Sequence, residues 1–380
     1  MSEKRIKYIC YYDSLDPSRP RECVPAATTK IDYIVSVLNR IGYKVDIVSY
    51  ASVSSPGFNL SWGGKKTMAN NNTLRHFISL GCMKWKALRV FSRWLMSVHF
   101  ICWFLSSVKH NEQIIIYHSL GYCTLFLCLL RVIKCSVVGE IEEIYQDVHP
   151  QKPSLSRNEY RFISQCDKYI FPTQLLDKKL NLSHKPSLTI HGLYCPAPNY
   201  GEHFNDDLIH VIYSGTFDPK KGGAMAAATT LLPANYHIHI TGFGNEQMVE
   251  SIRQVVAGTV KRGGNVTFEG MLDDDTFRHF LQKCHIGLCT QNPSAAFNAT
   301  GFPSKILNYL ANGLKVVTCD TPAIRISSVA NVLTFYQEQT PEALAEAILR
   351  SANTPASDGR KLLSRLDAKF EKELKSLLHN

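Results

Sequence analysis

Apolar and polar positions along this chain of 380 residues switch repeatedly between a two-residue and a helical rhythm. Lys4 to Tyr12 reads as a strand, followed by a polar loop carrying Pro17, Pro20 and Pro25. Ile31, Ile34, Val35 and Leu38 recur at helical spacing and predict a helix from about Ala26 to Ile41, stopped by Gly42. Lys44 to Ser49 is the next strand, which completes a βαβ unit. The Ser-, Gly- and Asn-rich stretch Ser52 to Asn72 is expected to be a mobile loop. Further strands are predicted over Gln113–His118, Cys135–Ile141, Lys168–Pro172 and Ser187–His191, with helices over Thr124–Ile133 and Tyr160–Cys166.

Pro196, Pro198 and Gly201, followed by Asp206 and Asp207, mark a linker, after which the pattern restarts. Strands at His210–Tyr213, His237–Thr241, Asn265–Glu269 and Ile286–Cys289 alternate with helices from about Ala224, at Gln247–Val256 and at Asp275–Lys283. The fold class is therefore α/β, with two Rossmann-like domains facing each other across a cleft. The boundaries are residues 1–195, 196–357 and a long charged helix within 358–380.

Composition allows two cores, since 45% of residues are hydrophobic. The formal charge is +10, and its placement matters more than its size. Ile47 to Asn111 holds no Asp or Glu, yet it contains Lys65, Lys66, Arg75, Lys84, Lys86, Arg89, Arg93 and Lys109 together with all four tryptophans, Trp62, Trp85, Trp94 and Trp103. Cations interleaved with Trp and Phe suit an anionic membrane interface. A nucleic-acid groove, or a solvated basic face over a core helix, are the alternatives. Val90, Phe91, Trp94, Leu95, Val98, Ile101, Cys102 and Leu105 form a helical apolar stripe with Lys86, Arg89, Arg93 and Ser97 opposite. That stripe argues against nucleic acid, though a core helix accounts for it almost as well as a membrane does. The uncharged run Trp94 to Val108 is short for a spanning helix. The start, Met-Ser-Glu-Lys-Arg-Ile-Lys, leads straight into a strand, so a cytoplasmic protein peripheral at the inner membrane face is expected. The 12 cysteines include no Cys-x-x-Cys pair, and no metal site is expected.

Residues 299–319 concentrate the candidate chemistry. They read as a loop, a short helix opened by Pro303, a stop at Gly313 and a buried strand from Lys315. A loop entering a helix N-terminus suits a phosphate, and Lys305 is badly placed for the helix dipole, so an anionic ligand is its simplest role. Phe-Pro-Ser-Lys-x-x-x-Tyr-Leu-Ala-x-Gly-x-x-Val-Val, from Phe302 to Val317, resembles the donor-site motif of family 4 glycosyltransferases. Such enzymes have the GT-B fold of two Rossmann-like domains. The resemblance extends from about His210 to Ile348.

The resemblance implies a metal-independent, cofactor-free glycosyltransferase of the polysaccharide or O-antigen type. It would move a hexose, with retention, from a UDP-sugar to a lipid-linked or polysaccharide acceptor. Its donor residues would be Gly215, Thr216, Lys220, Gly242, Gly244, Met271, Leu272, Thr300, Phe302, Pro303, Ser304 and Asn308. Lys221 and Lys305 would stabilise the leaving diphosphate. Two departures stand out: Thr216 occupies the position of the family's Arg, and Thr300 and Asn308 those of its paired glutamates. In the first half, Glu140, Glu142 and Asp147 are expected to emerge beside the acceptor, and His118 to face the sugar; a solvated acidic loop and a structural His are the alternatives. Lys86, Arg89, Arg93 and Trp94 would meet the membrane and acceptor. Asp273-Asp-Asp275 reads as a helix N-cap and not as a metal site. A nucleotide-sugar 2-epimerase and a non-catalytic nucleotide-sugar-binding subunit remain as rival readings.

Overall fold

The computed structural model describes residues 4–14, 20–54, 57–81, 84–145, 153–218, 223–355 and 358–379. The chain divides into two compact units, one formed by Met1–Pro172, Leu176–Ile190 and Glu371–Asn380, the other by Thr173–Leu175 and His191–Phe370.

The first unit is built on strands β1 (Lys4–Cys10), β2 (Tyr43–Ser49), β4 (Gly64–Thr67), β5 (Thr73–His76), β7 (Gln113–Tyr117), β8 (Ser136–Glu140), β9 (Lys168–Phe171) and β10 (Ser187–Thr189). They form one sheet in the order β10-β9-β8-β7-β1-β2-β5-β4, parallel except for β4 against β5. Two short strands, β3 (Asn59–Ser61) and β6 (Ser79–Gly81), make a separate antiparallel pair. The helices are α1 (Pro25–Arg40), α2 (Lys86–Ser107), α3 (Leu120–Val132), α4 (Pro153–Gln165) and α5 (Gln174–Leu180). Apolar strand residues such as Ile9, Val48, Ile114 and Val137 pack with Phe100, Phe104, Phe126 and Phe162 from the helices. The stretch expected to be a mobile loop is partly ordered. Between β4 and β5 the chain reverses through Asn70 and Asn71, both at positive φ, a conformation that asparagine tolerates better than most residues.

The second unit has β11 (Ile209–Thr216), β12 (Tyr236–Phe243), β13 (Val266–Gly270), β14 (Ile286–Cys289), β15 (Lys315–Cys319) and β16 (Leu333–Tyr336). Its sheet is fully parallel in the order β13-β12-β11-β14-β15-β16, the 3-2-1-4-5-6 arrangement of a doubly wound fold. Helices α6 (Ala224–Thr229), α7 (Glu246–Lys261), α8 (Asp274–Lys283), α9 (Lys305–Ala311), α10 (Pro322–Arg325) and α11 (Pro341–Asn353) connect the strands. The last helix, α12 (Gly359–His379), begins in this unit, where Arg360 donates to the carbonyls of Ala311 and Asn312. Its final turns belong to the first unit, where Lys168 Nζ donates to Leu377 O at 2.8 Å and Arg40 pairs with Glu371.

The sheet of the second unit is pinned by a tyrosine. The Tyr309 ring from α9 lies flat on Gly287 of β14, so close that a Cβ there would sit 2.3 Å from the ring. Replacing Gly287 by Ala should therefore destabilise the protein by about 1–3 kcal/mol, read by chemical denaturation. A variant as stable as the parent would mean that ring and strand do not meet in this way.

Candidate functional site

In a 3-2-1-4-5-6 sheet the chain turns in opposite directions after the first and fourth strands, which leaves a crevice at their C-terminal ends. Here those strands are β11 and β14, and glycines line the crevice. Gly215 and Gly242 are register partners at the ends of β11 and β12, both at positive φ. Any Cβ on Gly242 would lie 1.8 Å from Gly215 O, so only glycine fits. Gly223, before α6, touches the end of β14, where Thr290 Oγ1 donates to Gly223 O at 2.8 Å. Gly244 precedes Asn245, whose side chain caps α7 by accepting from Met248 N.

Two buried tyrosines stiffen this edge. Tyr309 OH accepts from Ser214 N at 3.0 Å and lies 3.3 Å from Leu288 O, joining α9 to both β11 and β14. Tyr213 OH donates to Thr216 O at 2.8 Å, and Thr216 Oγ1 accepts from Asp218 N. The Thr216 hydroxyl thus closes a turn in the position where a cation was the family expectation. Lys220 and Lys221 lie outside the described residues, as does Asp147.

Among the described residues, Lys305 is the cation that lies beside Gly215 at the crevice. Its Nζ rests 4.3 Å from the Tyr213 ring centroid and 2.9 Å from where a Gly215 Cβ would be. Among the described residues no hydrogen bond or ion pair engages this ammonium, and burial holds its pKa below the usual lysine value. An enclosed cation over an aromatic face, beside a glycine backbone, is a ready partner for an anion. The helix it begins, α9, has 7 residues. So short a helix has a weak dipole, and the lysine carries the electrostatics.

The other residues expected at the donor fall around α9 and after β13 without a common role. Phe302 stacks on His191 at 4.7 Å, and Pro303 is buried. Thr300 O accepts from Thr173 Oγ1 at 2.5 Å. Ser304 and Asn308 are exposed, and Asn308 Oδ1 accepts from Asn312 Nδ2 at 3.1 Å. Met271 is exposed and Leu272 half-buried after β13. Asp273 caps α8 by accepting from Thr276 N and Oγ1, as expected.

In the first unit two sequence expectations are corrected. Glu140 does not emerge from the sheet: it is fully buried at the end of β8, where it accepts from Tyr8 OH and lies 3.7 Å from Lys30 Nζ, which also pairs with Glu142. Burial raises its pKa above the usual carboxylate range, an effect that the Lys30 ammonium offsets only in part. His118 is likewise interior. Its ring stacks on Phe162, lies 5.1 Å from the Tyr145 ring and places Nε2 3.4 Å from Glu159 Oε1. Burial depresses its pKa to about 4.

Helix α2 holds the remaining candidates, and it packs on the core through a face other than the stripe read from sequence. Ser92, Met96, Phe100 and Phe104 are its buried side. The stripe read from sequence points outward, with Val90 63%, Phe91 49% and Trp94 60% exposed. Lys86, Arg89 and Arg93 are exposed as well, Arg93 lying 3.7 Å from Glu22. No helix among the described residues is long and apolar enough to cross a membrane.

Residues 209–354 match the family described as glycosyl transferases group 1. No curated protein sequence matches the chain. Among solved structures, the catalytic domain of starch synthase IV from Arabidopsis thaliana, bound to ADP and acarbose, aligns with a TM-score of 0.63 at 10% identity over 100% of both chains. A UDP-forming α,α-trehalose-phosphate synthase from Burkholderia xenovorans gives 0.64 at 10% identity over 99% of both. Anabaena HepE in complex with UDP gives 0.60 at 12% identity, over 98% of this chain and 100% of that one. At such identity the likeness establishes the fold, the two Rossmann-like domains of GT-B glycosyltransferases.

The interior His118 makes stability depend on pH. An unfolded histidine takes up a proton near the ordinary value of 6.5, whereas the folded one resists until about 4. Its contribution is therefore complete above 6.5 and is lost as pH falls toward 4. Between pH 7 and pH 5 the wild type should lose about 2 kcal/mol more stability than His118→Gln, measured by urea denaturation at each pH. Glu140 acts with the opposite sign but is common to both proteins and cancels, so equal slopes would show that His118 is not buried neutral.

Proposed function

We propose that the protein is a glycosyltransferase that moves a sugar from a nucleotide-diphosphate donor, a UDP-sugar, to a lipid-linked or polysaccharide acceptor at an anionic membrane surface, with retention at the anomeric carbon. The observation that carries this reading is Lys305, a half-buried ammonium with no counter-charge among the described residues, at the switch point of the second sheet. The group 1 match spans the same strands, and ADP- and UDP-bound structures share the fold. Bound there, the donor diphosphate would supply the missing negative charge. When the sugar–phosphate bond breaks, the charge that develops on the leaving nucleotide is met by a cation already in place, which is where such a contact lowers a barrier most. Polysaccharide and O-antigen acceptors, retention, metal independence and a cytoplasmic location at the inner membrane face rest on the sequence resemblance and on the charge pattern.

The membrane part is supported by α2. Its outward Val90, Phe91, Trp94 and Val98, with Lys86 and Arg89 exposed elsewhere on the same helix, suit an interfacial helix. An acceptor held on a lipid would be delivered to a protein docked in this way.

Two experiments test the reading. Lys305→Met keeps the long stem and removes the charge, so it should raise stability by on the order of 1 kcal/mol while weakening UDP binding by about 10–100-fold. Isothermal titration with UDP and a denaturation curve read both, and unchanged UDP affinity would remove the site. Phe91→Asp with Trp94→Asp should release the protein from vesicles containing anionic lipid in a sedimentation assay, and continued co-sedimentation would remove the membrane surface.

A further inference from the structure

The opposite end of the second sheet carries a cluster that nucleotide binding does not use. At the starts of β11 and β12, His210 lies in register with His237, and Ile212 with His239. Residues two apart on a strand share a face, so His210, His237 and His239 stand together on one side of the sheet. His210 and His239 are buried, His237 half-buried. Phe204 covers them, its ring 3.9 Å from that of His210 and 5.3 Å from that of His239.

Each imidazole is held from outside through one nitrogen. His210 Nε2 lies 2.8 Å from Asp206 Oδ1, His239 Nδ1 lies 2.7 Å from Glu269 Oε1, and His237 Nε2 lies 2.7 Å from Thr267 Oγ1. A carboxylate only accepts, so the first two of these nitrogens bear the hydrogens. A neutral imidazole has a single N–H. The remaining nitrogens, His210 Nδ1 and His239 Nε2, face each other at 2.8 Å and would then both present lone pairs. Two lone pairs at that distance repel unless a cation joins them. That cation is either one additional proton or a metal ion.

We propose that His210, His237 and His239 bind a divalent transition metal of the zinc class. The third imidazole favours metal over a proton, because a shared proton needs only His210 and His239. One nitrogen from each of the three rings can be chosen so that all lie within 4.8 Å of one another. Zinc–nitrogen bonds of about 2.0–2.1 Å in a tetrahedron put ligand nitrogens roughly 3.3 Å apart. The facing pair must open slightly and His237 swing inward, both by side-chain rotation. Imidazoles whose other nitrogen donates to a carboxylate or hydroxyl are also the usual support of a metal-bound histidine, fixing tautomer and orientation. Gly215 is five residues along β11 from His210, roughly 16 Å at strand rise, so this metal would not touch the nucleotide. Its role is to fasten residues 202–206 to the sheet through Asp206 and Phe204.

The test uses the full chain, stripped with chelator and titrated with Co²⁺, then with Zn²⁺. One equivalent of cobalt should bind with the visible absorption of a tetrahedral site and be displaced by zinc. Asp206→Asn should weaken that binding by about 10–100-fold. His237→Gln alters a half-buried side chain and should lose the tetrahedral spectrum while circular dichroism stays unchanged. The proposal is overturned if the parent chain binds none of the metal, if His237→Gln binds it equally well, or if a thiolate-to-cobalt charge-transfer band shows cysteine ligation. A proton resonance shared between His210 and His239 that persists with excess zinc present would overturn it too.

Discussion

A half-buried lysine ammonium with no counter-charge among the described residues is an expensive feature, and the second unit is arranged around it. Lys305 could satisfy its charge by reaching solvent, yet it lies over Tyr213 beneath Gly215. Glycine at 215 and 242 keeps the strand ends low enough for this, and Tyr309 fastens α9, which carries Lys305, to β11 and β14. A Cβ at Gly215 would meet the ammonium and one at Gly242 the Gly215 carbonyl, and without Tyr309 the helix loses its anchor to both strands. A charge kept ready in this manner costs stability in the absence of a ligand and spares reorganisation when an anion arrives.

The same sheet therefore concentrates opposite chemistry at its two ends. C-terminal strand ends gather a cation and glycine backbone, suited to an anion. N-terminal ends gather three imidazoles with carboxylates behind them, suited to a cation. Neither arrangement needs long-range coupling to the other. Each follows from which residues a parallel register places side by side.

Much of this was legible in the chain. Strand and helix periodicity located most elements to within a few residues, and Ile286–Cys289 was read at its observed bounds. The doubly wound restart after the proline-rich linker could also be read, because β-runs and helical spacing repeat there. Lys305 stood out since a cation in a first helical turn opposes the dipole. What was not legible depends on packing across the sequence. The destination of Glu140 is set by Lys30, 110 residues earlier, and by Tyr8, so a strand-end carboxylate read as emerging turns inward. The histidine cluster was hidden for the same reason. His237 and His239 show the spacing of a single strand face, but His210 joins them only through strand register. Tyr309 likewise became visible as a clamp only once Gly287 was seen beneath it.

Helix α2 shows the limit from another direction. Both of its sides are apolar: Met96, Phe100 and Phe104 on one, Val90, Phe91, Trp94 and Val98 on the other. Periodicity alone names a stripe and cannot say which stripe meets the core, since the core also accepts Ser92, whose hydroxyl is satisfied by the Leu80 backbone. The structure assigns the inward face by aromatic packing, Phe100 and Phe104 meeting Phe126 edge to face. That leaves the tryptophan-bearing stripe partly in water, where each large apolar side chain forgoes a part of the roughly 1.5–3 kcal/mol that full burial would give. A contiguous patch of this kind, on a helix that also exposes Lys86 and Arg89 and in a stretch free of acidic residues from Ile47 to Asn111, is what an anionic lipid surface would cover.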